Sequence, residues 1–129
     1  MGRSTRSLGR AEQAVMDYVW AHGPVSAEDC RKGLREIWPM KESTVRTVLL
    51  RLEQKGFLTH GVEGRAFMYR ATETRAGVAA RAVRQIIQRF CGGSADDLVL
   101  GLVAHDVLSA GDLARLSRKI TAARKGRTS

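Results

Sequence analysis

The feature that most constrains this chain is the order of elements that residues 40–70 predict. Over residues 41–55 the apolar residues recur at helical spacing, which places Val45, Val48, Leu49 and Leu52 on one face. Gly56 then suits the left-handed position just past a helix. Residues 57–60 and 65–71 have the pattern of two strands, and residues 61–64 would form the turn between them. We therefore expect a helix followed directly by a β-hairpin.

Helical patterns surround this segment on both sides. On the N-terminal side helices are expected over 8–21, ended by Gly23-Pro24, and from Ser26 to about residue 36, with Val25 in a short extended piece between them. Ser26 with Asp29, and Ser109 with Asp112, have the three-residue spacing of a capping box at a helix start. After the hairpin, helices are expected from 74 to Cys91, near 95–105 and over 110–123, and Gly92-Gly93 is expected to stop the first of them. The predicted fold is mostly α with a small β wing, an N-terminal winged helix-turn-helix plus a C-terminal three-helix dimerisation region. The expected organisation is a flexible basic arm at 1–7, a winged-helix domain at 8–72, a helical dimerisation domain at 73–123 and a basic tail at 124–129.

The polar face of the third helix has the residue types that a DNA-binding helix needs. Its short hydroxyl side chains let a backbone approach closely, and its arginines are long enough to reach guanine edges or phosphates. The alternative is the solvated side of an ordinary amphipathic helix. The hairpin behind it and the formal net charge of +9 favour duplex DNA as the partner. The predicted DNA-binding residues are Lys41, Ser43, Thr44, Arg46, Thr47, Arg51, Gly64 and Arg65.

Two residues of this helix and one patch have less definite roles. Leu50 lies on the flank, where it would contact thymine methyl groups or pack on a neighbour, and Glu53 has no predicted role. The positive excess is spread over both halves of the chain, with a dense patch near the C-terminus that is either a solvated tail or part of a polyanion-binding surface. That patch comprises Arg118, Lys119, Arg124, Lys125 and Arg127.

The last three helices have more apolar positions than a surface appendage would carry. About 50 residues in three helices rarely form a stable core alone. Folding of these helices back on the first half of the chain would cover the apolar positions. Interdigitation with a second copy is favoured instead, because a twofold dimer also presents two DNA-binding helices about one DNA turn apart, roughly 34 Å. The residues predicted to dimerise are Ile86, Ile87, Phe90, Leu98, Leu102, Val103, Leu113, Leu116 and Ile120.

Other functional classes lack their sequence signals. The three histidines stand far apart, with no glycine-rich phosphate loop, nucleophile elbow or HExxH, so no enzymatic activity is expected. Cys30 and Cys91 do not have the spacing of metal ligands, and both are expected to be buried or unreactive thiols. Redox sensing by Cys91 is the alternative. No cofactor or metal is expected. No stretch approaches 18 apolar residues, which predicts no membrane insertion and a cytoplasmic, nucleoid-associated bacterial protein.

Four segments resemble the penicillinase and methicillin-resistance repressors, the BlaI/MecI family. They are LGRAEQAVMDYVW at 8–20, STVRTVLLRLEQKGFL at 43–58, EGRAFMYRA at 63–71, and FCGGSADDLVLGLV with LSAGDLARL within 90–116. The resemblance implies a winged-helix DNA-binding half, a dimerisation half and repression at inverted-repeat operators. It also implies that Thr44, Arg46 and Thr47 lie at the base-reading positions.

The resemblance further implies a route of induction, in which a membrane sensor protease signals and the repressor is cut in its dimerisation half. The matching candidate cleavage site here is Gly101-Leu102, where such family members usually carry Asn before the cut. The copper-responsive relatives have a Cys-rich C-terminal motif that this chain lacks. Lys41 replaces a hydroxyl cap, which either weakens the helix start by about 1 kcal/mol or adds a phosphate contact. A winged-helix module that binds protein and not DNA is the alternative function.

Overall fold

A computed structural model describes the chain from residue 7 to residue 128, with side chains to residue 126. Most of the arm predicted at 1–7 and the last residue of the predicted tail therefore lie outside the described residues. Along the chain the elements are α1 (Arg10–His22), α2 (Ala27–Gly33), α3 (Glu42–Gln54), β1 (Leu58–Glu63), β2 (Ala66–Ala71), α4 (Arg75–Phe90), α5 (Ala95–Ala104) and α6 (Ala110–Thr128). The predicted order of three helices, a hairpin and three helices is confirmed, as is the mostly helical winged-helix fold.

The chain divides into two compact units between Ala79 and Ala80. The core of the first unit lies among α1, α2, α3 and the hairpin. Its fully buried side chains include Val15, Met16 and Leu49. The extended piece predicted at Val25 exists as an isolated bridge, in which Val25 and Tyr69 exchange backbone hydrogen bonds of 2.9 and 2.7 Å. This bridge adds a third short segment beside β2.

Side-chain caps start several of the helices at the predicted positions. Ser26 Oγ accepts from the Asp29 amide at 3.0 Å and Asp29 Oδ2 accepts from the Ser26 amide at 3.0 Å. The same reciprocal pair joins Ser109 and Asp112. These capping boxes satisfy amide groups that have no partner within the helix. Lys41 precedes α3 without a side-chain cap, in line with the loss of a hydroxyl at that position.

Three predicted boundaries were wrong. The second helix ends at Gly33 and not near residue 36, because Leu34 to Ile37 form turns whose amides bond back to Lys32 and Leu34 carbonyls. The hairpin turn is Gly64-Arg65 and not residues 61–64, because Gly61 pairs with Met68 inside the ladder. The last helix continues past residue 123 to Thr128, since nothing in Thr121–Lys125 interrupts its backbone hydrogen bonds.

The second unit contains the rest of α4 together with α5 and α6. Gly92 and Gly93, at φ 56° and 86°, end α4 as the sequence predicts. None of the residues described in α4, α5 or α6 is buried in a single protomer. Large apolar side chains are among the exposed residues of these helices, including Phe90 and Ile120.

Candidate nucleic-acid interface

Helix α3 divides its side chains between the core and solvent. Val45, Leu49 and Leu52 are completely buried and Val48 is 4% exposed, so the predicted apolar stripe is confirmed. The buried stripe holds the opposite surface in a fixed orientation, as a helix that enters a DNA groove requires. All residues of this helix and its first turn that were predicted to bind DNA are exposed: Lys41, Ser43, Thr44, Arg46, Thr47 and Arg51. Leu50 is 54% exposed on the same side.

The Arg46 side chain is restrained by Glu42, one turn earlier. Arg46 Nη2 and Nε donate to Glu42 Oε2 at 2.6 and 3.2 Å. The hydrogen bond with this carboxylate raises the pKa of Arg46. Both side chains are more than half exposed, so their ion pair contributes little to folding stability. Its effect is to orient a guanidinium whose other N–H donors remain for a ligand.

Thr47 has a similar local restraint. Its Oγ1 donates to the Ser43 carbonyl oxygen at 3.0 Å, a bond that a helical threonine commonly makes to the preceding turn. The hydroxyl is thereby held against the helix backbone. Thr47 and Arg46 therefore both have defined orientations on the exposed surface of α3.

The hairpin β1–β2, called the wing below, places Arg65 at its tip. Glu63 pairs with Ala66, which leaves Gly64 and Arg65 as a two-residue turn. Gly64 has φ 63°, the positive value that the first central residue of a type II′ turn requires. Gly64 and Arg65 are both exposed. The tight turn projects Arg65 from the end of the ladder.

The wing and α3 share one cleft of about 290 Å³. Arg46 from α3 and Arg65 from the wing both line it, although they are far apart in sequence. Ser26, Ala27 and Glu28 at the start of α2 form another wall, and Ala66, Phe67 and Tyr69 complete the lining. Two charged residues of the lining have ion-pair partners on their own helices, Glu28 with Arg31 at 2.8 Å and Arg46 with Glu42 at 2.6 Å. With Arg65, the charged side chains of the lining are net positive. The sequence did not indicate this convergence or the contribution of Ser26 and Phe67.

A contact between α3 and the wing explains Glu53. His60 Nδ1 on β1 hydrogen-bonds to Glu53 Oε2 at the end of α3, at 2.7 Å. The imidazole stacks on Phe67 with ring centroids 4.3 Å apart and lies 5.4 Å from the Tyr69 ring. Both members of the pair are 29% exposed. Sequence reasoning missed this link, because no local spacing rule connects a helix end to the following strand.

A second pair connects the end of α3 to the start of α1. The Glu12 carboxylate, 6% exposed, accepts from Lys55 Nζ at 2.7 Å and from the Gly9 amide at 2.8 Å. Burial by itself would raise the pKa of Glu12, but the bonds from Lys55 and Gly9 outweigh it and hold that pKa below its ordinary value. Lys55 also donates to the Ser7 carbonyl at 3.0 Å. The C-terminal end of α3 is thus fastened by both Glu12 and His60.

The residues predicted to dimerise lie on α4, α5 and α6, where they are half-buried or exposed. Phe90 is 74% exposed and Ile120 57%. Leu100 and Val107, two further apolar residues of this region, are 67% and 64% exposed. Gly101 and Leu102 are half-buried inside α5, so the candidate cleavage site lies in a helical peptide bond.

The described part of the chain has neither a metal-site cluster nor a membrane-spanning helix. Between residues 7 and 128, no three His, Cys, Asp or Glu side chains come together as a metal site would require. In the same range no helix combines the length and apolarity needed to cross a bilayer. Cys30 is buried, which raises the pKa of its thiol to about 12.

Comparison with known proteins gives matches over most of the chain. A family profile described as penicillinase repressor matches residues 8–122. The penicillinase repressor of Bacillus licheniformis is 30% identical over 109 residues, which cover 84% of this chain and 85% of that protein. The methicillin resistance regulatory protein MecI of Mammaliicoccus sciuri is 24% identical over 116 residues, covering 90% and 94% of the two chains.

A solved structure resembles the first unit. It is the solution structure of the DNA binding domain of the repressor BlaI, with a TM-score of 0.50 and 32% sequence identity. The match covers 56% of this chain and 88% of that domain.

Proposed function

The chain belongs to the penicillinase repressor family, the BlaI/MecI repressors, and we propose that it is a dimeric repressor of transcription that binds inverted-repeat operators in duplex DNA. In this proposal residues 8–72 bind DNA and residues 73–123 form the dimer. The observation that carries the proposal is the convergence of Arg46 and Arg65 on one cleft beside an exposed row of hydroxyl side chains. This arrangement supports insertion of α3 into a major groove while the wing contacts the neighbouring backbone.

The roles of individual residues follow from their chemistry. Arg46 would donate in bidentate fashion to guanine O6 and N7, with Thr44 and Ser43 close to the bases. Thr47, whose hydroxyl is held by the backbone, would present its methyl group to thymine. Lys41, Arg51 and Arg65 would contact phosphates, and the exposed Gly64 allows the wing tip to approach the DNA closely.

Binding to the DNA upstream of the protein's own gene tests the proposal, because repressors of this type often regulate themselves. Fluorescence anisotropy should show tighter binding to that duplex than to a scrambled one, with an affinity that falls with salt. Arg46→Ala should weaken operator binding by about 1–3 kcal/mol and relax the preference at one base pair. Arg84→Ala removes the same charge from an exposed position on α4 and should preserve the preference. Equal affinity of the unmodified protein for both duplexes would refute sequence-specific repression.

The exposed apolar surface of the second unit supports dimerisation. Phe90, Leu100 and Val107 are each more than 60% exposed in one protomer, an exposure that a soluble monomer rarely shows for so many large apolar side chains. A twofold dimer would cover them and would present its two α3 helices to half-sites about 34 Å apart.

Sedimentation equilibrium tests this part of the proposal. Phe90→Asp should produce monomers, because it places a charge in the proposed interface. Since Phe90 makes little contact within one protomer, the substitution should leave the secondary structure intact. Gln88→Asp, at an exposed position two residues earlier, is the matched control and should remain dimeric. A dimer unaffected by Phe90→Asp would exclude this surface.

We further propose that proteolysis between Gly101 and Leu102 would inactivate the protein, with a sensor protease as the partner. That cut would divide α5 and separate Leu98 from Val103, two residues of the proposed dimer surface. Because a protease acts on unfolded chain, α5 must open locally before the cut. Mass spectrometry of the protein from induced cells tests this step, and an intact chain from derepressed cells would refute it.

One observation favours the alternative of a protein-binding module. A groove of about 450 Å³ on the first unit is lined by Tyr18, Leu34, Ile37 and Trp38 among others, and Ile37 is 73% exposed. Tryptophan and tyrosine are common at protein interfaces. Failure of the chain to bind any duplex DNA would favour this function over repression.

A further inference from the structure

Helix α6 carries the largest net positive charge of the helices, whereas α3 carries none. Residues 110–128 contain six Lys/Arg and one Asp, a net charge of +5, compared with +4 for α4. Helix α3 contains two arginines and two glutamates and is formally neutral. Since neutralisation of phosphates dominates the affinity of proteins for duplex DNA, the largest source of attraction lies outside the helix that would read the bases.

Four of the six basic residues of α6 lie on one side of the helix, whereas Arg124 falls on the side of the apolar residues. At 100° per residue Arg115, Arg118, Lys119 and Lys125 fall within a sector of about 120°, called the basic face of α6 below. All four are exposed. Leu113, Leu116 and Ile120 occupy the opposite side, which the proposed dimer would cover.

The acidic content of α6 does not cancel this charge. Asp112, in the first turn, is the only acidic residue of the helix, and it pairs with Arg115 at 3.1 Å. The helix continues without a break to Thr128. Its periodicity therefore keeps Arg118, Lys119 and Lys125 in a fixed relation, which a disordered tail would not do.

We propose that the basic face of α6 binds the phosphate backbone of duplex DNA without regard to sequence. This inference rests on the proposed function, which supplies the DNA. It adds a second contact, separate from the α3 and wing surface, that raises affinity for any duplex. In a dimer the face is present twice.

The chemistry of α6 favours duplex DNA over two other polyanions. Proteins that bind single-stranded nucleic acids use aromatic side chains on which bases stack, and α6 contains no aromatic residue. A helix that binds an anionic membrane buries an apolar face in the lipid, whereas the apolar side of α6 would lie within the dimer. Helix α6 thus has no aromatic side chain for base stacking and no apolar face left open to lipid. A rigid row of cations of this kind suits the regularly spaced phosphates of a duplex.

The salt dependence of binding by the full-length protein tests the inference. The variant Arg118→Gln/Lys125→Gln removes two charges from the basic face, and the matched control Arg84→Gln/Arg89→Gln removes two charges from α4. Affinity is measured for a random duplex about 40 base pairs long, roughly four helical turns, at several salt concentrations. Circular dichroism and sedimentation confirm that both variants fold and dimerise.

Each phosphate contact contributes about 0.9 to the magnitude of the slope of log K against log salt. The variant removes two charges from each protomer, so a dimer would lose four contacts and the magnitude of its slope would fall by up to about 3.6. The ratio of unmodified to variant affinity should then shrink by up to about 150-fold between 50 and 200 mM salt. The control should retain the slope of the unmodified protein. An unchanged slope in the α6 variant, or an equal decrease in both variants, would overturn the inference, as would a greater loss on single-stranded DNA than on the duplex.

Failure of this inference is distinguishable from failure of the proposed function. Arg46→Ala should reduce the discrimination between operator and random duplex but keep the salt slope on random DNA. The α6 variant should lose slope on both duplexes while discrimination remains. An unmodified protein that binds random DNA through α6 without discriminating an operator would refute the repressor proposal and support the α6 contact.

Discussion

Replacement of Glu12 by Gln should destabilise the first unit in a manner that depends on pH. The Glu12 carboxylate is 6% exposed, and it accepts hydrogen bonds from Lys55 Nζ at 2.7 Å and from the Gly9 amide at 2.8 Å. Gln still accepts from Gly9 but cannot neutralise Lys55, which is itself mostly buried. A lost hydrogen bond between charged groups in such a site costs about 1.5–3 kcal/mol. For a unit of this size each kcal/mol corresponds to about 4–8 °C in Tm.

The pH dependence has a definite sign. The pKa of Glu12 in the folded protein lies below its ordinary value of 4.5, so the stability that the charged group contributes is present above pH 4.5 and is lost as the pH falls through the lower, folded pKa. The difference in unfolding free energy between the unmodified protein and Glu12→Gln should therefore be constant near neutral pH and should decrease toward zero as the pH falls.

Thermal unfolding at fixed protein concentration, between pH 3 and pH 8, measures this difference. Glu28→Gln is a suitable control, because Glu28 also pairs with basic residues but is far more exposed, so its loss should have a much smaller effect. A Glu12→Gln variant as stable as the unmodified protein at pH 7 would refute the reasoning. So would a difference that persists undiminished at pH 3.

Three further predictions concern the wing and the cysteines. His60→Ala removes both a hydrogen bond to α3 and a ring stack within the wing, which should cost about 1–3 kcal/mol in thermal unfolding; no loss would show that the contact is dispensable. Gly64→Ala should cost about 1–2 kcal/mol, since its φ of 63° disfavours a Cβ although the space around it is empty. Gly61→Ala, in equally open space at an ordinary φ, is the control, and equal stability of the two variants would contradict the strain argument. Iodoacetamide at pH 8 should alkylate half-buried Cys91 and spare Cys30, whose buried thiol has a pKa of about 12. Peptide mass spectrometry measures the labelling of each cysteine, and equal labelling of both in the native protein would refute the prediction.

Sequence reasoning predicted the features that depend on local periodicity and capping. The buried stripe Val45, Val48, Leu49 and Leu52 follows from the 3.6-residue period alone, and the Ser26–Asp29 capping box from a three-residue spacing. Gly56, at φ 88°, takes the predicted left-handed position after α3. These features require no knowledge of distant parts of the chain.

The features that the sequence did not predict depend on contacts between separate elements. The hairpin turn was misplaced because Gly61 suggested a turn, whereas the register is set by pairs such as His60 with Tyr69. Glu53 had no visible role because its partner is on the wing. Arg46 and Arg65 were predicted singly, and only the packing of the wing against α2 and α3 brings them to one cleft.

The formal neutrality of α3 is consistent with a role in discrimination and not in attraction. Glu42 holds the Arg46 guanidinium, so only the N–H donors that it leaves over, in the orientation that it sets, would contact a base or phosphate. Near a duplex Glu42 also repels phosphate, a cost that every sequence imposes equally. That cost is offset only where a base offers two acceptors in the geometry of the guanidinium, as guanine does. If Arg46 contacts bases as proposed, the carboxylate beside it would penalise incorrect sites more than the correct one, so that specificity is gained at the expense of affinity. The proposed contact of α6 with phosphates would then supply part of the affinity so lost.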